Sequence, residues 1–463
     1  MDMKKGILWI LIACLLFGSA SLCYADTDTE TELTLVGKGA ILIDASTGKV
    51  LYEKNSHEKY YPASTTKIIT AILALENIGL DDTVPIDGEI AFTGGSRIYL
   101  LEGEKVMARE LMYGLLLESA NDVAVAFAKK ISGSTEKFAV LMNEKAKEYG
   151  ALNTNFVNPN GLQDEKHVST AYDLAMIAKY AMKNETFRKY VKTYKYKMPA
   201  TNMQDTRYFY NTNRLLYDTV HEVSVNGVLR DCKYEGITGI KTGFTPEAGG
   251  CLVASAKRGD TELIAVTMAS TDMDRFGDCI ALLDYGFANY KTVPALDGDA
   301  DLGMVKVKRG AVSRVAAAPK EAVFATLPKE ASQDVVRTEI VLSDSLKAPV
   351  KKGQKAGVVK VYAGNDLVGE YDAVVTQAVK KGGPLSVIGI SDAAARLMLF
   401  VFLGLIALLI LSLVVYVFYK RRQIRIRREK RQKEREEMQR QRAMDRARWE
   451  EEFFGQRERR WER

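Results

Sequence analysis

Leu397 to Tyr419 is a run of 23 residues with no Asp, Glu, Lys or Arg. As a helix rising about 1.5 Å per residue, it is long enough to cross the roughly 30 Å hydrocarbon core of a bilayer. Read as a membrane span rather than a buried helix, it divides the chain. Any water-soluble domain must be built from the residues before it, and Lys420-Arg421-Arg422 open a separate tail. Of the chain's 65 basic and 59 acidic residues, positions 420 to 463 hold 18 and 10, a net of +8. That excess places the tail on the cytoplasmic side. The remaining 47 basic and 49 acidic residues come to −2, so nothing in the folded part supports nucleic-acid binding.

Met1 to Ala25 is laid out as a secretory signal: Lys4 and Lys5, an apolar run from Ile7 to about Phe17, and small residues around Cys23-Tyr24-Ala25. The mature chain then starts near Asp26. Leu11-Ile12-Ala13 before Cys14 also suits a lipid-attachment cysteine, but the apolar run continues past it. With 463 residues, 47% apolar and 27% charged, the chain is globular in character and too long for one core. Outside the signal, Cys232, Cys251 and Cys279 are odd in number and lack metal-type spacing. They read as buried thiols, or as one disulfide plus a free thiol. His57, His167 and His221 lie far apart in the chain, which supplies a histidine metal site or a Ser-His-Asp triad poorly. No metal and no cofactor is expected.

Ala40 to Asp44 and Val50 to Glu53 flank Ser46-Thr47-Gly48-Lys49 as a hairpin. The stretch from Thr66 to Leu75 is apolar on nearly every side, as a helix central to a core should be. Helical periodicity returns at Glu110 to Ile131, Ser134 to Tyr149 and Ser169 to Met182. Cys251 to Ala256 and Glu262 to Thr267 form a second hairpin around Lys257-Arg258-Gly259-Asp260, and Asp278 to Tyr290 closes the domain as a helix. From about Val293 short Val-rich runs separated by Gly, Pro and Asp predict a small all-β domain, with Lys380 to Pro384 starting the connection to the membrane. The expected organisation is a signal at 1–25, a catalytic domain at 34–292, a β domain at 293–385, a linker at 386–396, the span at 397–419 and the basic tail at 420–463.

Three short peptides carry the chemistry. Ser64-Thr65-Thr66-Lys67 is one of three Ser-x-x-Lys matches, with Ser56 to Lys59 and Ser134 to Lys137. Its context sets it apart: Pro62-Ala63 lead into it and the apolar helix follows. The hydroxyl of Ser64 should therefore sit in a helix's first turn, where free N–H groups favour negative charge. Lys67, three residues on, shares its face and can reach it as a base. A lysine does this only where its cation is disfavoured, by burial or by a second fixed positive charge, for which Lys241 is the candidate. Lys241-Thr242-Gly243 reads as an exposed stretch at a sheet edge. There the ammonium and hydroxyl would meet a carboxylate, while Gly243 would let a substrate backbone approach. Ser119-Ala120-Asn121 interrupts the helical pattern from Leu111 to Phe127. Its hydroxyl would relay a proton and its carboxamide would orient Lys67 and the substrate peptide.

In order and type, these peptides resemble the serine penicillin-recognising enzymes. Tyr61 to Thr70, Asn158-Pro159-Asn160-Gly161-Leu162 followed by Ser169-Thr170-Ala171, and Gly239 to Thr245 with Leu252 to Ala256 resemble the low-molecular-weight penicillin-binding proteins, the serine-type D-alanyl-D-alanine carboxypeptidases. The similarity covers roughly residues 34 to 385. It implies an α/β (α+β) penicillin-binding-protein and β-lactamase-like domain, with a mainly antiparallel sheet flanked by helices, beside a small β domain and a C-terminal membrane anchor. It also implies that Ser64 attacks the carbonyl between the terminal D-alanines of a peptidoglycan stem peptide, forming an acyl-enzyme that water clears. Lys67 would be its base and Ser119 the proton relay. Asn121, Lys241, Thr242 and Gly243 would bind substrate, and the backbone N–H groups of Ser64 and Phe244 would form the oxyanion hole. β-Lactam antibiotics would acylate the same serine.

Two positions depart from the family pattern, Phe244 and Asn160, where histidine is frequent. Altered substrate preference follows rather than loss of catalysis. A DD-endopeptidase, a β-lactamase and a non-catalytic membrane scaffold are the rival readings. In the tail, the density of Arg and Glu favours a solvated charged helix; the alternative is one apolar stripe of Trp449, Phe453, Phe454 and Trp461 for the anionic inner leaflet.

Overall fold

The computed structural model describes residues 33–461; the expected signal and the start of the mature chain lie outside them. Two compact units divide the chain. One comprises residues up to 297 together with 322–339 and 360–370, and the other 298–321, 340–359 and 371 onward.

The first unit is organised on a five-stranded antiparallel sheet. Its strands are β1 (Gly39–Asp44), β2 (Val50–Lys54), β3 (Ile237–Thr245), β4 (Gly249–Arg258) and β5 (Thr261–Ser270), in the spatial order β2-β1-β5-β4-β3. Alternate residues feed two separate cores. Ile41, Ile43, Val253, Ile264 and Val266 point into one, and Ala40, Leu42, Leu252, Ala254, Leu263 and Ala265 into the other. A strand buried on both faces has no polar side to show, which is why these segments read as continuous apolar runs.

The first core is closed by α1 (Lys67–Asn77), α2 (Ala108–Leu116), α3 (Asn121–Ser132), α4 (Thr135–Glu148), α5 (Ala171–Ala181) and α6 (Glu185–Lys192). The first eight residues of α1 are all buried, so it is the central helix its composition predicts. Phe127 and Phe138, fully buried on α3 and α4, pack into the same core. On the opposite face α7 (Asp274–Asn289) supplies Phe276, Ile280 and Leu283 to the second core. It starts four residues before the expected Asp278. Cys232, Cys251 and Cys279 are buried free thiols.

Asp278 fastens this unit's N-terminal segment. Its carboxylate accepts from Val36 N at 2.8 Å, Gly37 N at 2.9 Å, Thr267 Oγ1 at 3.0 Å and Ser270 Oγ at 2.7 Å. A buried carboxylate is tolerated where donors surround it in this way.

In the second unit Gly303–Lys308 pairs antiparallel with Arg314–Pro319 and parallel with Ser345–Lys347, and Ala317 to Pro319 pair with Ala373 to Val375. This is the β character that the Val-rich runs predict. α8 (Asp392–Trp461) is one unbroken helix of 70 residues whose first part is long and apolar enough to cross a membrane. Beyond that part the described aromatics do not form a single stripe. Trp449 stacks on Phe453 at 4.9 Å and Phe453 meets Phe454 edge-on at 6.0 Å. At about 100° per residue, Trp449 and Phe454 point about 140° apart, so these rings wrap around the helix. The Trp461 side chain is not among the described groups.

Removing the Asp278 carboxylate strands three buried donors and the part-buried Val36 N–H. Asp278→Ala should therefore lower stability by about 3 kcal/mol, read as a fall in the urea midpoint of the detergent-solubilised chain. An unchanged midpoint would show the N-terminal segment to be held by other contacts.

Candidate active site

A 3-10 turn, Ala63–Thr66, runs directly into α1. Ser64 and Lys67 thus stand one turn apart on one face, and Lys67 Nζ donates to Ser64 Oγ at 2.9 Å. Ser64 is half-buried and Lys67 wholly buried. The two other Ser-x-x-Lys matches have local structural duties: Ser56 Oγ donates to Glu53 at 2.6 Å, and Ser134 caps α4 by accepting from Lys137 N. Ala63 holds φ at +46°, a left-handed conformation costing a non-glycine residue about 1 kcal/mol or more. Strain is therefore built in immediately before the nucleophile.

Burial lowers the pKa of Lys67 well below the ordinary lysine value, and the charge of Lys241 adds to that effect against an opposing pull from Asp122. Among the described residues no carboxylate pairs with the amine. Its second partner is the backbone carbonyl of Asn160, at 2.6 Å. That carbonyl lies in a loop whose Asn158 Oδ1 accepts from Gly161 N at 2.7 Å, and whose Pro159 carbonyl accepts from Thr70 Oγ1 at 2.6 Å. Gly161, at φ +84°, lies so near the nucleophile turn that an added Cβ would stand 1.8 Å from the Ala63 carbonyl oxygen. Only glycine lets the loop come this close.

α2 ends at Leu116 and α3 begins at Asn121, so the interruption expected at Ser119 is present. Ser119 takes φ +61°, and its buried Oγ has no hydrogen-bond partner. Asn121 was expected to orient Lys67, but its Nδ2 donates to the Gly94 carbonyl at 2.8 Å and its N–H to Ser96 O at 2.7 Å. It shapes the rim of the site, while Asn160 supplies the acceptor to the lysine. Asp122, fully buried, accepts from Ile98 N and Leu100 N at 3.3 and 3.1 Å and fixes the same rim.

Lys241-Thr242-Gly243 lies on β3, the edge strand, as expected, but it is not exposed. All three residues are buried, and only Phe244 beside them turns outward. The edge is covered by the nucleophile turn itself: a Cβ on Gly243 would lie 2.9 Å from Ser64 N and 3.0 Å from Pro62 O. Burial lowers the Lys241 pKa to about 7, with the Arg275 cation pushing the same way and Glu118 opposing.

Arg275, from the first turn of α7, donates Nη1 to the Gly243 carbonyl at 2.8 Å and pairs with Asp272 at 2.7 Å. Thr242 Oγ1 shares a 2.6 Å hydrogen bond with Thr212 Oγ1, and Thr212 N donates to Leu117 O at 3.2 Å. The Ser119 segment and the Lys-Thr-Gly strand are thereby tied together. Ser64, Lys67, Lys241, Thr242 and Gly243 converge closely, and Ser119 and Asn121 join them through these neighbours. Asn160, Thr212 and Arg275 were not chosen from the sequence. Each acts through a backbone carbonyl or a single long-range bond, which leaves no local pattern.

Residues 26–272 match the family model D-alanyl-D-alanine carboxypeptidase, and residues 290–381 match penicillin-binding protein 5, C-terminal domain. The chain is similar to the D-alanyl-D-alanine carboxypeptidase DacF of Bacillus subtilis (strain 168), 36% identical over 389 residues, which are 82% of this chain and 96% of the relative. DacC of Escherichia coli (strain K12) is 32% identical over 380 residues, 80% of this chain and 90% of its own. The crystal structure of penicillin binding protein 5 from Haemophilus influenzae superimposes with a TM-score of 0.58 at 28% identity, covering 75% of this chain and 98% of that one. Motifs, fold and relatives agree: the chain belongs to the serine D-alanyl-D-alanine carboxypeptidase family, the low-molecular-weight penicillin-binding proteins.

Proposed function

We propose that this chain is a membrane-tethered carboxypeptidase that removes the terminal D-alanine from peptidoglycan stem pentapeptides through an acyl-enzyme on Ser64. The observation that carries the reading is the 2.9 Å contact between the Ser64 hydroxyl and a buried lysine amine that has no carboxylate partner. Neutral Lys67 takes the Ser64 proton as the oxygen attacks the carbonyl between the two D-alanines. The peptide C–N bond then breaks. The Ser119 hydroxyl donates its proton to the departing amine and takes from Lys67 the proton that came from Ser64, which leaves both groups as they began, and water hydrolyses the ester.

Lys241 and Thr242 hold the substrate carboxylate, and Asn121 holds its peptide group. Gly243 leaves room for the backbone, and the N–H groups of Ser64 and Phe244 receive the oxyanion. The span at 397–419 keeps the catalytic unit outside the membrane and the basic tail in the cytoplasm. A β-lactamase would require a carboxylate to activate the deacylating water. Among the described residues no carboxylate bonds Ser64, Lys67 or Lys241, and that of Asp122 is taken up by backbone N–H groups.

Incubation of the detergent-solubilised chain with a pentapeptide ending in two D-alanines should release free D-alanine, and a fluorescent penicillin should label it with a long-lived adduct. Rapid turnover of the penicillin would sink the carboxypeptidase reading in favour of the lactamase. Ser64→Ala should abolish both reactions, a loss of at least about 10³-fold, with the fold intact by circular dichroism. Ser119→Ala should slow acylation by about 10²-fold at little cost in stability, because its Oγ has no bond to lose.

Two lysines with opposite requirements set the pH profile. Lys67 is a base only when neutral, so the acylation rate constant should rise with pH through its lowered pKa. Lys241 attracts a carboxylate only while protonated, so initial penicillin binding should weaken as pH rises through about 7. Stopped-flow labelling across pH separates the two constants; parallel movement would contradict these assignments.

A further inference from the structure

His167 has no place in the chemistry above, yet it is 2% exposed and bonded through both ring nitrogens. Val157 N–H donates to its Nδ1 at 3.0 Å, so Nδ1 is the unprotonated nitrogen. The proton is then on Nε2, which lies 2.8 Å from Thr66 Oγ1 and donates to it. Thr66 immediately precedes Lys67, and Val157 opens the loop whose Asn160 carbonyl accepts from Lys67 Nζ at 2.6 Å. One short stretch of loop is thus tied to one stretch of helix at Thr66 through the imidazole, at Lys67 through Asn160, and at Thr70 through the Pro159 carbonyl.

We propose that His167, as its neutral Nε2–H tautomer, is a positioning residue that sets where the Asn160 carbonyl meets the Lys67 amine, and so where the base stands relative to Ser64. The inference rests on the reading of Lys67 as the base. Without the imidazole, the described hydrogen bonds between the loop and α1 are those at Lys67 and Thr70, and Val157 loses its link to Thr66. The ring suits a neutral strut. Phe156 packs against it at 5.5 Å between ring centres. The charged groups that face it are Asp164 on its own loop and Lys67 on α1. Burial brings its pKa down to about 4, with Asp164 opposing and Lys67 assisting. A proton on Nδ1 would set two N–H groups against each other at Val157.

The test is acylation of the detergent-solubilised full chain by a fluorescent penicillin, resolved into an initial binding constant and an acylation rate constant across pH. Thr66→Val keeps the ring and the side-chain volume but removes the acceptor. His167→Asn offers an oxygen to Val157 but has no donor that reaches Thr66. Both should lower the acylation rate constant on the order of 10-fold or more while initial binding changes little. Both should also move the acid limb to higher pH, because a loosened loop admits water to Lys67 and lets its pKa rise toward the ordinary value. His167→Gln, whose amide nitrogen can reach Thr66, should recover part of the rate.

Folded Thr66→Val with a wild-type rate constant and acid limb would overturn the role of the histidine, as would a change confined to initial binding. Because Thr66→Val leaves the imidazole in place, it decides the matter even if His167→Asn does not fold. A wild-type chain that fails to react would instead overturn the reading of the site as an acylating centre, and this inference with it.

Discussion

A lysine amine buried without a countercharge is the constraint on which the rest of this structure depends. Moving an ammonium ion from water into a protein interior costs several kcal/mol unless it is paired, and a lysine so placed relieves the cost by giving up its proton. Lys67 is in that position. Its partners are a hydroxyl, which can give its proton to the lone pair of a neutral amine, and a backbone carbonyl, which can accept from it, and the charge that acts on it most is that of a second buried lysine. A carboxylate beside it would have turned the same residue into an inert ion pair. The carboxylate whose charge opposes the shift at Lys67, that of Asp122, is occupied instead by the backbone N–H groups of Ile98, Leu100 and Val123.

Such an arrangement needs a rigid frame. The five-stranded sheet is buried on both faces, so β3 cannot shift without disturbing two cores. The site hangs on its edge. Gly243 lets the nucleophile turn pack directly against the strand backbone, and Arg275 reaches across from α7 to hold the Gly243 carbonyl. Gly161 makes the same kind of approach from the other side. Two non-glycine residues in left-handed conformations, Ala63 and Ser119, border or form part of the catalytic set. Strain of this size persists only where the surroundings over-determine the backbone.

Much of this was legible along the chain. The hairpin at Ala40 to Glu53, the helix after Ser64, the break at Ser119 and the second hairpin at Cys251 to Thr267 are local patterns enforced by periodicity, and the structure has each of them. What was misread depended on partners distant in sequence. Lys241 to Gly243 sits on an edge strand, and an edge ordinarily faces water; here the turn carrying Ser64, about 180 residues earlier in the chain, covers it. Asn121 spends its amide nitrogen on the carbonyl of Gly94, 27 residues earlier in the chain. The alternative of one stripe through Trp449, Phe453 and Phe454 fails on helix geometry alone, since adjacent residues cannot share one narrow face.

The amino-acid sequence by itself determined the 23-residue apolar run, the charge of the tail, the three short motifs and the kinds of group they carry, because composition, periodicity and spacing are local properties. Only the tertiary structure decided that the second partner of Lys67 is the Asn160 carbonyl, that the Lys-Thr-Gly strand is buried, and that Thr212, Arg275 and His167 bond the segments around it. Those outcomes depend on which surfaces meet when remote segments pack, and a hydrogen bond to a backbone carbonyl leaves no mark on the residue that provides it.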